Sequence, residues 1–165
     1  MKIRWLIATL AGAAFFAVSA MAQQPSPPPS APPAYGPPIT LAQAKKVMAA
    51  AEAEARKSPF PVAIYIIEPS GGLVMMERMD NTQYGSVALA QKKAETAAMF
   101  KRPSQALQDR VQGNVSLLTL GAPTLVGGGL PIVEHGKIIG AIGVSGSPGA
   151  PQDEQVAKAG VEALK

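Results

Sequence analysis

Pro61-Val62-Ala63-Ile64-Tyr65-Ile66-Ile67-Glu68-Pro69-Ser70-Gly71-Gly72-Leu73 is the stretch that decides the architecture. Residues 62–67 are uninterruptedly apolar and largely β-branched, which reads as a strand. A strand without polar alternation is buried on both faces, so its sheet must be covered on both sides. Glu68-Pro69-Ser70-Gly71-Gly72 is turn chemistry, and residues 73–79 return as the partner strand of a hairpin.

Upstream, Thr40 and Gln43 form a capping box, and Leu41, Ala44, Met48, Ala51 and Ala55 recur at helical steps to make one apolar stripe. Arg56 and Lys57 suit the negative end of that helix, and Pro59 and Pro61 forbid its continuation. Downstream, after a polar loop at 80–85, Ser86 caps a helix running to about Lys101, with Val87, Ala90, Ala94 and Ala97 inward. Pro103-Ser104 starts a short helix carrying Leu107 and Val111, and Gly121 and Pro123 make residues 117–126 read as irregular. Gly127-Gly128-Gly129 opens a strand pair, 130–133 and 137–145, joined at His135-Gly136; Pro131 marks the first of these as an edge or bulged strand. Pro151, Asp153 and Glu154 begin a last helix using Val156, Ala159 and Leu164. Hairpin connections imply an antiparallel sheet flanked by helices, an α+β domain and not a doubly wound one.

Residues 1–22 read as a secretory signal: Lys2 and Arg4, an apolar stretch over 6–18, and Ala20-Met21-Ala22 as cleavage site. The apolar stretch is shorter than the ~20 residues of a spanning helix, so no membrane anchor is expected after cleavage. This places the protein in the periplasm or outside the cell. Removing 22 of 165 residues leaves 143 and takes the net charge from +4 to +2, with no basic run longer than two residues; nucleic acid is not an expected partner. Residues 23–38 contain eight prolines and read as a disordered, extended linker, leaving 39–165 as the folded unit. The chain has no cysteine and one histidine, which removes thiol nucleophiles, Cys-ligated metal centres and paired-His schemes.

Few residues carry chemistry. His135 sits at a hairpin tip, and no GxSxG elbow exists to serve it. Gly127-Gly128-Gly129 lacks the following Lys-Ser/Thr of a phosphate loop, yet it lets backbone N–H groups approach a ligand. Gly140, Gly143 and Gly146 leave a strand without side chains, so a helix, a ligand or a second subunit must pack flat there. Asp80, Lys92, Lys93, Lys101, Arg102 and Asp153 are the polar candidates, each also readable as a solvated surface charge. Met75, Met76 and Met79 read as core filler whose sulfur can also ligate haem iron.

Taken in order, Met79-Asp80, Gly85-Ser86, Lys93-Ala94-x-Thr96-Ala97-Ala98-x-Phe100-x-Arg102-Pro103-Ser104, Gly127-Gly128-Gly129-Leu130-Pro131-Ile132, Gly140-Ala141-Ile142-Gly143-Val144-Ser145-Gly146 and Asp153-x-x-Val156-Ala157-x-Ala159-Gly160 resemble the GlcG/HbpS (DUF336) haem-binding family. The resemblance implies a profilin- or PAS-like antiparallel sheet with helices on both faces, assembled into homo-oligomers. It implies haem as ligand, in haem or iron handling or sensing, with some relatives haem-degrading. The glycine-punctuated strand would be the apolar floor, with Lys93 or Arg102 facing the propionates. The ligand-binding set expected on this basis is Tyr84, Lys93, Thr96, Arg102, Gly127, Gly128, Gly129, Gly143, Ser145 and Asp153, with Tyr84 or Met79 toward the iron. The alternative is a small-organic-acid binder, enzymatic or not, using the Gly127–Gly129 loop with Arg102 and Asp153. Without a credible acid/base pair, the non-catalytic reading leads.

Overall fold

The computed structural model describes residues 31–165. The signal reading of residues 1–22 and the first part of the linker, 23–30, lie outside the described residues. The elements run β1 (Ala34–Tyr35), α1 (Leu41–Ala55), β2 (Ala63–Ile67), β3 (Leu73–Arg78), α2 (Tyr84–Phe100), α3 (Gln105–Gly113), a 3-10 segment (Val115–Thr119), β4 (Gly129–Glu134), β5 (Lys137–Ser145) and α4 (Ala150–Glu162). Among them no helix is long and apolar enough to cross a membrane.

β5 is the centre of the sheet. It pairs antiparallel with β2, with Ala63 opposite Ser145 and Ile67 opposite Ala141, and β2 pairs antiparallel with β3 as a hairpin. On its other edge β4 runs antiparallel, from Gly129 opposite Gly143 to Glu134 opposite Lys137. His135 and Gly136 both have positive φ, as the tight turn between β4 and β5 requires. Because β4 holds one edge of β5 as far as Lys137, β1 must lie on the other, beyond the point where β2 stops; there it pairs parallel with Lys137 and Ile138.

That pairing corrects the linker boundary. Residues 34–39 are tied down by Gly36 N–H donating to Ile138 O (2.8 Å) and Ile39 N–H donating to Ile139 O (2.7 Å). The prolines on either side cannot donate, but Ala34, Tyr35 and Gly36 between them present a free backbone that a sheet edge can pair.

The alternation along β2 sorts its side chains into two layers. Ile64 and Ile66, with Ile142 and Val144 of β5, face α1 and α4 and build the larger core with Val47, Met48, Ala51, Val156 and Ala157. Tyr65 and Ile67 face α2, against Ala94, Ala97, Ala98 and Ala141. Each fully buried isoleucine or valine contributes roughly 1.5–3 kcal/mol relative to exposure. The sheet is thus covered by helices on both faces, as the unbroken apolar run of β2 requires.

α2 lies unusually close to the sheet. A Cβ on Gly143 would fall 2.0 Å from the Ala90 carbonyl oxygen, and one on Gly129 2.1 Å from the Lys93 carbonyl oxygen, so backbone rather than side chain makes this contact. What packs flat against the glycine-bearing strand is therefore a helix. The start of α2 also differs from expectation: Gln83 occupies the N-cap position without a side-chain bond, and Ser86 is buried inside the first turn, its hydroxyl unpartnered.

Gly143→Ala is expected to cost at or beyond the top of the ~1–3 kcal/mol that overpacking usually costs, since the clash is with helix backbone. Gly85→Ala, whose added Cβ meets nothing within 4 Å, is expected to leave stability unchanged or raise it. Urea unfolding of the two variants checks both; a Gly143→Ala protein as stable as the parent would show that α2 can lift away freely.

Candidate functional site

Of the polar residues expected to bind a ligand, Lys93 and Asp153 are engaged with each other inside the protein, and Thr96 with a loop backbone. Lys93 is only 1 % exposed; its ammonium donates to Asp153 Oδ2 at 2.7 Å and to the Val144 carbonyl at 2.9 Å. Asp153, in the first turn of α4, accepts the Ser147 N–H on its second oxygen at 3.0 Å. Lys93 is thus no propionate partner and Asp153 no part of an open anion pocket: each neutralises the other. Gly128 lets this pair close, since a Cβ there would lie 3.0 Å from Lys93 Nζ and 2.8 Å from Asp153 Cβ. Gly127 donates to Gln108 Oε1 and Gly129 to Ser104 Oγ, so the triple glycine does not present free N–H groups at those two positions. Thr96 is fully buried and bonded both ways to Thr124, donating to its carbonyl (2.9 Å) and accepting from its N–H (3.1 Å). Ser145 is buried, and Gly143 is covered by α2. Arg102 donates through Nε to the Phe100 carbonyl at 3.0 Å.

The two iron-ligand candidates sit elsewhere again. Tyr84, 86 % exposed, starts α2 with its ring beside Arg78, and Met79 packs on the larger core. His135 is exposed at its turn.

A groove of about 660 Å3 lies at the far end of α2. It forms because β2 ends at Ile67 whereas β5 continues, leaving a seam between the β2–β3 turn, β1 and the last turns of α2. The turn supplies Glu68, Pro69, Ser70 and Gly71; α2 supplies Glu95, Ala98 and Met99; the incoming chain supplies Tyr35, Gly36 and Pro38, with Pro123 at one side. The volume falls within the range of small-molecule and cofactor sites. Tyr84 and Met99 are fifteen residues apart on one helix, roughly 22 Å at 1.5 Å per residue, so Tyr84 does not reach this groove.

Its chemistry is apolar with a few polar groups. Met99 is 59 % and Tyr35 44 % exposed, and Tyr35 donates its hydroxyl to the Ala98 carbonyl at 2.8 Å. Lys101, in left-handed conformation just past α2, holds its ammonium 4.1 Å from the centre of the Tyr35 ring. Glu68 accepts bonds from the Ser70 hydroxyl and N–H and from the Gly72 N–H, and these hold its carboxyl below the usual range. Glu95 accepts from Gln91 Nε2 at 2.8 Å. Among the described residues no lysine or arginine lines the groove. Among the described residues no three His, Cys, Asp or Glu side chains cluster so as to hold a metal ion. Met99 and Tyr35 carry side-chain types that ligate haem iron, so the donors fit that group.

Sequence reasoning missed this groove. Met99 looks like a stray apolar residue on the outer face of a helix, and Glu68-Pro69-Ser70-Gly71 reads as a plain turn. Tyr35, the one aromatic residue among the prolines, was the available signal.

The fold is an α+β sheet covered by helices on both faces, and residues 39–162 match the model of the HbpS-like family, described as haem degrading protein HbpS-like. The chain belongs to this family. Protein GlcG of Escherichia coli K12 is 38 % identical over 108 residues, 65 % of this chain and 81 % of GlcG. The crystal structure of HbpS superposes with a TM-score of 0.73 at 29 % identity, covering 79 % of this chain and 92 % of that one. The structure of a PduOC:haem complex superposes with a TM-score of 0.71 at 27 % identity, covering 78 % and 96 %.

A second hollow, lined by Gln105, Pro151, Glu154, Gln155 and Lys158, holds an unpartnered carboxylate oxygen of Glu154. Burial, then the nearby Asp109, raises the carboxyl of Glu154 above its ordinary range. The folded state therefore binds that proton more tightly than the unfolded chain, and its contribution to stability is lost as pH rises through the raised folded value.

Two outcomes are expected on unfolding. Asp153→Ala should destabilise by about 3–5 kcal/mol, because Lys93 is left buried without a counter-ion, whereas Lys93→Met with Asp153→Leu should recover much of that loss. Glu154→Gln should stabilise at pH 8 and have less effect at pH 4; denaturant midpoints at both pH values check this, and an equal effect at both would show that the charge is not the cause.

Proposed function

We propose that this protein binds haem in the groove between β1, the β2–β3 turn and the end of α2, as a non-catalytic haem-handling or sensing module outside the cytoplasm. The observation that carries the reading is a roughly 660 Å3, largely apolar groove lined by the exposed side chains of Met99 and Tyr35. Membership of the HbpS-like family and the likeness to a PduOC:haem complex support it. When bound, haem would supply a ferric or ferrous centre open to ligation. Met99 would hold the iron, or Tyr35 if its phenol gave up the bond to the Ala98 carbonyl, and Pro38, Pro69, Ala98 and Pro123 would exclude water from the ring. Glu68 and Glu95 offer no counter-ion to propionates, which leaves these to the open rim.

The same charges weigh against the organic-acid reading. An anion entering the groove meets two carboxylates, and Lys93 is neutralised within the core. Haem degradation is the second reading, favoured by the description of the matching family. The exposed apolar residues Val115, Leu118 and Leu120 support self-association into a homo-oligomer.

Titration of the protein with haemin should give a saturable Soret shift at stoichiometric ratio. Met99→Ala and Tyr35→Phe should each weaken binding about tenfold or move the band, while Tyr84→Phe, Met79→Leu and His135→Ala leave it in place. A band that ignores Met99 and Tyr35 but moves with Tyr84 would put the site at the other end of α2. Progressive loss of the band on adding ascorbate in air, with release of iron, would favour degradation over binding.

A further inference from the structure

The groove has one wall that differs from the rest. The β2–β3 turn and α2 belong to the packed body, but Tyr35, Gly36 and Pro38 belong to a short arm laid over the seam. The arm is attached lightly. Its strand is two residues long, Ala34 and Tyr35 are both exposed, and its backbone anchor ahead of Ile39 is the pairing with Lys137 and Ile138. Its side-chain anchors are the Tyr35 hydroxyl on the Ala98 carbonyl and the Lys101 ammonium over the Tyr35 ring. At Ile39 the character changes. Ile39 is 4 % exposed in the larger core, and Thr40 caps α1 through a complete capping box, so the chain is fixed from there on. Segments with few buried contacts and exposed backbone hydrogen bonds open locally at low cost, whereas their anchored neighbours do not.

We propose that residues 34–38 are a strap that gates the groove, pivoting ahead of Ile39: docked, it completes the site and retains ligand; undocked, it lets ligand in and out. This rests on the haem reading for the identity of the ligand. Docking depends on Gly36, because a Cβ at that position would lie 2.9 Å from the Cβ of Lys137 and a side chain there would push the arm off β5. Ligand and strap then stabilise each other, since a ligand that touches only the docked arm shifts the arm toward that state.

The test uses the full-length protein and haemin. Hydrogen exchange at the Gly36 amide should be faster than at the Ile39 and Ile142 amides without haemin, and exchange at Gly36 should slow about tenfold or more with haemin bound. Gly36→Val, which pushes the arm off β5, should speed haemin release about tenfold as read by transfer to excess apomyoglobin. Lys101→Gln, which frees the Tyr35 ring without altering a lining residue, should speed it severalfold and gives the same reading if Gly36→Val folds poorly. Haemin that binds with a normal Soret band while exchange at Gly36 is unchanged, or that leaves both variants at the parental rate, overturns the strap and leaves the haem reading intact. Failure of the parent to shift the Soret band overturns the haem reading, and the strap with it.

Discussion

The approach of α2 to the backbone of β5 is the constraint on which the rest of the structure depends. Backbone against backbone at Gly143 and Gly129 leaves no room for a ligand on that face. It also decides the fate of Lys93. A lysine on the inner side of a helix seated this low cannot carry its ammonium to water, and an isolated buried ammonium is costly. It requires a fixed counter-ion. Asp153 is delivered by the first turn of α4, which packs on the opposite face, so the ion pair joins the two helical layers past the end of β5. The Val144 carbonyl and Ser147 N–H complete the hydrogen bonding, which is the condition under which a buried pair is tolerated.

With that face closed, an open site can form only where the close packing ends. β2 and β5 have unequal lengths, and the lane left beside Lys137 and Ile138 must be filled or remain an exposed strand edge. The chain fills it with its own incoming residues. The seam between this added strand and the β2–β3 turn becomes a groove, and the outer face of the last turns of α2 forms its side. The position of the site thus follows from a mismatch of strand lengths.

The fold was largely legible because its signals are collective. The unbroken apolar run 62–67 demanded cover on both faces, the capping box at Thr40 and Gln43 started α1 where expected, and the glycine spacing in β5 announced that something lies flat on it. The site was not legible, and the reason is physical. Lys93, Thr96, Ser145 and Asp153 attract functional readings because polar side chains look expensive to bury, yet each is buried here. Only the tertiary contacts reveal that Lys93, Thr96 and Asp153 satisfy their bonds internally. Tyr35 was hidden for the opposite reason: proline on both sides reads as an extended free chain, and pairing with a sheet edge formed about a hundred residues later is non-local.

The placement of charge then bears on what the groove can select. A site built to hold a dianionic ligand by its carboxylates would place arginine or lysine in its wall, as phosphate and carboxylate sites do. Here the wall carries Glu68 and Glu95, and Lys101 lies over the Tyr35 ring. On the haem proposal, affinity would come from burial of a flat apolar surface and from a donor to the metal, while the carboxylates would act against any small anion lacking both. Such a site would discriminate by shape and ligation and not by charge matching, which is the pattern the proposed metal-bearing ring requires, with its retention set by whether the wall made by Tyr35, Gly36 and Pro38 stays in place.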